Sequence, residues 1–262
     1  MFFHEWRSIR KSTAIWSAAL VAVTILFLSM FPSISRDAEA FQRLLSGYPK
    51  EVLQAFGLQL EMITSFLGFY SYMFTYVMLI GAIQAMNLGA GIVAKEVSGK
   101  TSEFLLSKPV SRFDILRAKW RAVVLSIAVT NMVFVSAAYL MALAVAEKLD
   151  VKVFLLMSLS NVFVQLFFAV LGFFLAVSMN RIKSVLTLSL STVMAFFLLS
   201  MIGSVLGEDA VRYVTPFQYF DFVYVIQHAS YEWGYLVVEA VFFCTMLVAS
   251  FYVFSKKDVH SV

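Results

Sequence analysis

The chain has 262 residues, 61% of them hydrophobic and only 14% charged, with a mean hydropathy of +0.85. Soluble domains carry about 45–50% apolar and about 25% charged residues, so one water-soluble core cannot hide this much hydrocarbon, and the long apolar runs read as bilayer-spanning helices. A net charge of +4 is weak grounds for nucleic acid, and the single Cys244, set in an apolar run, excludes a disulfide framework.

Residues 1–11 (MFFHEWRSIRK) put Phe2, Phe3, Trp6 and Ile9 on one helical face, with His4, Glu5, Arg7, Arg10 and Lys11 elsewhere. That is the pattern of an interfacial helix whose cations meet lipid head groups. Residues 12–31 are the first expected span, ending at Pro32. Its length exceeds the 7–15-residue apolar core of a signal peptide, which favours an uncleaved anchor. In the outer segment 33–64, Phe41, Leu44 and Leu45, then Val52, Leu53, Phe56 and Leu60, recur at helical spacing, punctuated by Gly47 and Pro49. Two short amphipathic helices are expected there.

Further spans are expected at 65–93, 122–146, 153–178, 184–206 and 235–254, with a second outer segment at 207–234 and a charged hinge at 95–121. Gly68, Gly81, Gly89 and Gly91 mark span two as a place of close helix approach. The fold class is all-α: one transmembrane domain over residues 1–262, with six transmembrane helices. Six spans place both ends of the chain on one side. Fourteen Lys and Arg residues fall on the side of the ends and the hinge and six on the other, so the positive-inside bias puts both termini in the cytoplasm.

The hinge, KEVSGKTSEFLLSKPVSRFDILRAKWR, holds seven of the twenty cationic residues. Gly99-Lys100-Thr101 invites a phosphate-loop reading, but Ala94 stands where the motif needs a glycine and an apolar helix stands where it needs a strand. Nucleotide binding by this chain is therefore rejected. The physical pattern is helix, break, helix: Gly99 weakens the helix, Lys108-Pro109 ends it, and Ser111 with Asp114 forms a capping box for the next. Trp120 is expected at the membrane interface. Two readings stand on these grounds: a lever that passes on a partner's motion, or a basic loop that only sets topology.

The run Glu96…Thr101-Ser102-Glu103-Phe104-Leu105-Leu106-Ser107-Lys108-Pro109-Val110-Ser111-Arg112 resembles the cytosolic hinge of ABC-type-2 exporter permeases. Thr215–Asp221 (TPFQYFD), the opening His-Glu-Trp-Arg helix and Phe56-Gly57-Leu58 are similar to other parts of that family. The resemblance covers nearly the whole chain, and the hinge pattern is its most specific part. It implies a coupling helix on which a separate ATPase docks, two ATPase subunits, and a second permease chain as homodimer or heterodimer. It implies no catalysis and no cofactor in this chain, with ATP and Mg held by the partner. Carried over by position, Glu96, Gly99, Thr101, Glu103, Leu105, Leu106, Pro109, Val110, Ser111 and Arg112 form the docking surface. The family exports drugs, antimicrobial peptides and ions.

Of the polar residues at membrane depth, Gln84, Asn87, Asn131 and Gln165 are pathway candidates, with Asn161 beside them. Hydrogen bonding between helices is the more ordinary use of such groups, and it is preferred here. Glu239, the one carboxylate inside an expected span, is expected to snorkel to the outer interface. Nine aromatics between Tyr213 and Tyr235 read as an aromatic belt, or alternatively as an outer gate. His4, His228 and His260 lack metal-ligand spacing.

The functional expectation is a permease subunit of an ATP-driven exporter in a bacterial cell membrane, surrounded by lipid and unconnected with nucleic acid. Its substrate is expected to be amphiphilic, in keeping with an apolar path. The alternative is a membrane anchor or sensor that recruits a cytosolic signalling protein without transport.

Overall fold

Hydrocarbon offers no hydrogen-bond partners, so an apolar segment that crosses it satisfies its backbone internally, as a helix. The structure, a computed structural model, describes residues 1–58, 62–98, 111–179, 182–207 and 209–256. Its helices are α1 (Phe2–Arg36), α2 (Ala38–Ser46), α3 (Lys50–Ala55), α4 (Phe66–Ser98), α5 (Arg112–Val145), α6 (Val151–Ser178), α7 (Val185–Leu206), α8 (Asp209–Val214), α9 (Phe222–His228) and α10 (Trp233–Lys256). A 3₁₀ turn at Pro216–Gln218 links α8 to α9, and the described residues contain no strand. Six of these helices, α1, α4, α5, α6, α7 and α10, are long and apolar enough to cross a membrane.

Two expected boundaries move. The segment 1–11 is continuous with the first span, because α1 runs unbroken from Phe2 to Arg36. Pro32 lies inside the helix instead of ending it. The ring of Phe31 packs on Phe66 and Phe69, and that anchorage carries the chain one further turn past the lost hydrogen bond. Likewise α5 begins at Arg112, ten residues before the apolar run: charges interrupt the hydropathy there without interrupting the helix. The expected cap fixes its start. Ser111 Oγ accepts the Asp114 N–H at 3.1 Å and donates to the Asp114 carboxylate at 2.6 Å. Asp150 and Ser184 cap α6 and α7 in the same way. The two short helices expected in 33–64 are α2 and α3.

The most extensive interfaces pair α4 with α6 and α1 with α5; α7 leans on α4, and α10 on α6. Consequently α4 and α6 are mostly buried, whereas α1, α7 and α10 leave most of their surface outside the bundle. Glycine sets the spacing of the central pair. A Cβ on Gly89 would sit 2.1 Å from the carbonyl oxygen of Ala169, and one on Gly172 would sit 2.5 Å from that of Met86. Backbone therefore meets backbone from both sides, the arrangement by which small residues replace the missing hydrophobic drive inside a bilayer. Gly91, also expected as a contact position, is not tight: its Cβ would lie 3.7 Å from Val185.

The polarity of α1 is inverted relative to a soluble helix. Its buried stripe is Glu5, Ile9, Thr13, Ser17, Leu20, Thr24, Leu28 and Phe31, while Ile15, Ile25, Leu26 and Met30 point outward. Thr13 meets Ser126 at 2.6 Å, and Ser17 donates to Thr130 at 3.3 Å. Gly89→Ala is expected to force α4 from α6 and destabilise the fold by about 1–3 kcal/mol. This would appear as a lower thermal-unfolding midpoint of the detergent-purified chain, while Gly91→Ala leaves the midpoint in place.

Candidate functional site

Helices α4 and α5 are the two limbs of the hinge, and α1 ties them together. Glu5, in the first turn of α1, is almost completely buried. Its Oε2 accepts from Lys95 Nζ of α4 at 2.5 Å, and its Oε1 accepts from Lys119 Nζ of α5 at 3.2 Å. Lys119 is only 1% exposed and also donates to the Ile92 carbonyl of α4 at 2.9 Å. Lys95 donates to Ser8 Oγ of α1 at 3.0 Å. One carboxylate thus holds an ammonium from each limb in a place where water is scarce, a geometry that opposes independent movement of the three helices. The first turn of a helix also favours an anion.

Glu96, in the last turns of α4, and Ser111 and Arg112, at the start of α5, stand just beyond this clamp. Gly99, Thr101, Glu103, Leu105, Leu106, Pro109 and Val110 lie outside the described residues. Phe113 packs on Phe251 of α10 at 4.9 Å between ring centres. Trp120, expected at the membrane interface, is half-buried against Phe173 of α6 and Phe243 of α10.

Deeper in the bundle, three of the four pathway candidates meet in one buried network. Gln84 Nε2 donates to Thr130 Oγ1 at 2.8 Å. Asn131 Nδ2 donates to Gln165 Oε1 at 2.5 Å, and Asn161 Nδ2 to Asn131 Oδ1 at 2.9 Å. Gln165 Nε2 makes longer contacts, at 3.4 Å, to Gln84 Oε1 and the Gly81 carbonyl. With Ser17 bonded to Thr130, these groups join α1, α4, α5 and α6. Asn87 is half-buried and stays outside the network among the described residues. Because Gln84, Asn161 and Gln165 have no exposed surface, the arrangement acts as interhelical glue in this conformation.

Beyond the far ends of α4 and α7 from the clamp, the second outer segment is built by its polar residues. Gln218 Nε2 donates to the Ser200 carbonyl at 2.6 Å and to Ser204 Oγ at 2.9 Å, fastening the 3₁₀ turn to α7. Asp221 caps α9 by accepting the N–H groups of Val223 and Tyr224. In the first outer segment, Gly57 takes φ +72° and Leu58 N–H reaches the Leu53 carbonyl at 2.8 Å, closing α3. Between these pieces lies a half-open cavity of about 360 Å³ and mixed polarity, bordered by Gln54, Thr75, Arg212 and Gln218 and by Phe197 and Phe222. Arg212 is held by an ion pair with Glu232 and lies over the Tyr235 ring.

The aromatic run is not simply a belt. Phe217, Tyr219 and Phe220 are buried, with Phe217 on Phe168 and Phe220 on Phe163, both of α6. Tyr231 donates to the Leu156 carbonyl. Burial first, and the Glu239 carboxylate second, push the Tyr219 phenol up to about 12.

Glu239 itself departs from expectation. It does not reach outward: it is 5% exposed, and its Oε2 has no hydrogen-bond partner among the described residues. The rings of Tyr213 and Tyr219 pack against Tyr235 at the start of α10, one turn before the carboxyl. It borders an apolar groove of about 430 Å³ between α6 and α10. Among the described residues no three His, Cys, Asp or Glu side chains gather as metal ligands.

The family model described as ABC-2 family transporter protein matches residues 1–259. This chain belongs to the ABC-2 transporter family. No curated relative matches it. Membership makes it a multi-pass membrane protein and a permease-type subunit, and it implies ABC ATPases as its associates. For an ABC-2 chain, the clamp has a natural address: it sits at the root of the segment that resembles the family's hinge.

Glu5 is the clamp residue that the sequence pattern concealed, since a lone acid among basic residues near a membrane surface looks solvated. The one signal was its spacing, because Glu5, Ile9, Thr13 and Ser17 recur every fourth residue along a single face. Glu5→Ala strands a buried lysine, and it is expected to destabilise the ABC-2 chain by about 3–5 kcal/mol. Glu5→Ala combined with Lys119→Met should cost clearly less than the two changes summed, as read from a double-mutant cycle of detergent unfolding.

Proposed function

We propose that the chain is the membrane-spanning subunit of an ATP-driven exporter, present as two permease chains with two ATPase subunits in a bacterial cell membrane. Residues 96–112 receive the ATPase, both termini face the cytoplasm, and ATP with its magnesium is bound and hydrolysed in the partner. Closure of the ATPase pair pushes on the hinge; α4 and α5 move with α1 as one body, and the path opens outward to release an amphiphilic substrate.

The observation that carries this reading is the Glu5 carboxylate joined to Lys95 and Lys119. A loop that merely set topology would need no buried ion cluster at its root, and such a cluster is costly to assemble in an apolar setting. A lever does need one, because force applied between residues 98 and 112 has to reach more than one span. The half-polar cavity between α3, α4 and α7 supports an exit on the far side, where a departing substrate would meet water.

The test is reconstitution with the cognate ATPase in proteoliposomes. Charge reversal at Glu103 and Arg112 should abolish co-purification of the ATPase. Glu5→Gln should leave the complex assembled yet lower substrate moved per ATP hydrolysed by about fivefold or more, the scale of an ordinary coupling free energy. Full transport with the hinge charges reversed would defeat the proposal.

A further inference from the structure

The α6–α10 groove is formed by Phe163 and Leu166 on one side and by Trp233, Leu236, Ala240 and Phe243 on the other. Its lining is almost wholly apolar apart from Glu239. At about 430 Å³ it falls within the 300–1,000 Å³ of small-molecule sites. A carboxylate in such a place is expensive unless something cationic meets it.

Among the described residues no lysine or arginine makes an ion pair with Glu239. Tyr219 and Tyr231, which interact electrostatically with Glu239, spend their hydroxyl hydrogens elsewhere: Tyr219 donates to the Tyr213 carbonyl at 2.8 Å, and Tyr231 to the Leu156 carbonyl at 2.5 Å. Arg212, the nearby cation of the outer segment, is committed to Glu232 and Tyr235. Among the described residues the groove therefore borders a buried carboxyl without a counter-ion, and three of its lining residues, Phe163, Trp233 and Phe243, are aromatics whose ring faces attract cations.

We propose that this groove binds a lipophilic cation, a bulky hydrophobic amine, quaternary ammonium or phosphonium, with Glu239 as its counter-ion. Trp233, Phe163 and Phe243 supply the walls, and Leu236 and Ala240 the apolar floor. A neutral amphiphile would leave the carboxylate unpaired, and an anionic one would be repelled, so the site selects by charge within a size class. As the substrate site of an exporter, the groove rests on the function proposed above; as a binding site, it stands without it.

The experiment uses the full chain with its ATPase partner in detergent, without ATP, and measures equilibrium binding of radiolabelled tetraphenylphosphonium. Unlabelled tetraphenylphosphonium should displace the label, whereas tetraphenylborate, of the same shape and opposite charge, should not. Glu239→Gln should weaken binding by about tenfold or more, as loss of a desolvated counter-ion requires. Ala240→Trp, which fills the groove and keeps the carboxylate, should abolish binding. Gel filtration with the ATPase reports whether each variant is folded, and the phosphonium–borate comparison on the unsubstituted chain needs no variant at all. Equal displacement by both ions, or undiminished binding by folded Glu239→Gln, overturns the proposal. So does quantitative Cys244–Cys244 cross-linking between chains with no phosphonium bound, because a second copy would then cover the groove. Binding without ATP-driven movement would refute the exporter reading alone; ATP-driven movement of other substrates without phosphonium binding would refute this site alone.

Discussion

One carboxylate between two lysines organises the end of the molecule where the hinge emerges. The Glu5 carboxylate and the Lys119 ammonium are buried, so neither relaxes into water when a neighbouring helix moves, and the strength of the pair lies in the penalty for separation rather than in net stabilisation. Removing the Glu5 carboxylate strands the Lys119 ammonium, whose side chain is 1% exposed, whereas that of Lys95 is 34% exposed. Such an arrangement behaves as a mechanical joint: it contributes modestly while intact and resists strongly when pulled apart. The position of Lys119 shows how tight the joint is, since its ammonium spans from the α1 carboxylate to a carbonyl of α4 while its backbone belongs to α5.

The same logic, in weaker form, extends through the bundle. Because lipid is as apolar as leucine, hydrophobic side chains do not drive these helices together. Cohesion comes instead from the amides of Gln84, Asn131, Asn161 and Gln165, the hydroxyls of Thr13, Ser17, Ser126 and Thr130, and the backbone contacts permitted by Gly89 and Gly172. Most of these groups lie on the inward faces of α1, α4, α5 and α6. Helices α7 and α10 carry fewer of them and are correspondingly peripheral, which leaves room for a ligand or a neighbour against α10.

Much of this was legible in the amino-acid sequence. Six apolar runs became six helices, the Ser111–Asp114 cap appeared as expected, and three of the four glycines assigned to close contact in span two are tight. The hinge pattern agreed with the family match. Boundaries were less legible where charge and helix diverge: hydropathy drops at Arg117, Lys119 and Arg121, but helix propensity does not, so α5 starts earlier than its apolar core. Glu5 and Glu239 were misplaced for a related reason. Spacing along one helix tells which residues share a face, yet only the tertiary arrangement tells which face is covered, and in both cases the covered face carries the acid. The aromatic run near α10 was legible only in part, because rings at an interface and rings packed on α6, as Phe217 and Phe220 are, have the same composition.

The unbroken course of α1 bears on how the protein sits in its bilayer. At 1.5 Å per residue its 35 residues span about 52 Å, against about 30 Å of hydrocarbon. The ion cluster fixes one end of this helix to α4 and α5, whereas the other end runs through Pro32 to Arg36 and hands the chain to α2. Thickness mismatch is then absorbed by the last turns of α1 and by tilt, each at a small elastic cost. Membranes of different lipid composition would strain the outer segments first and leave the hinge joint undisturbed.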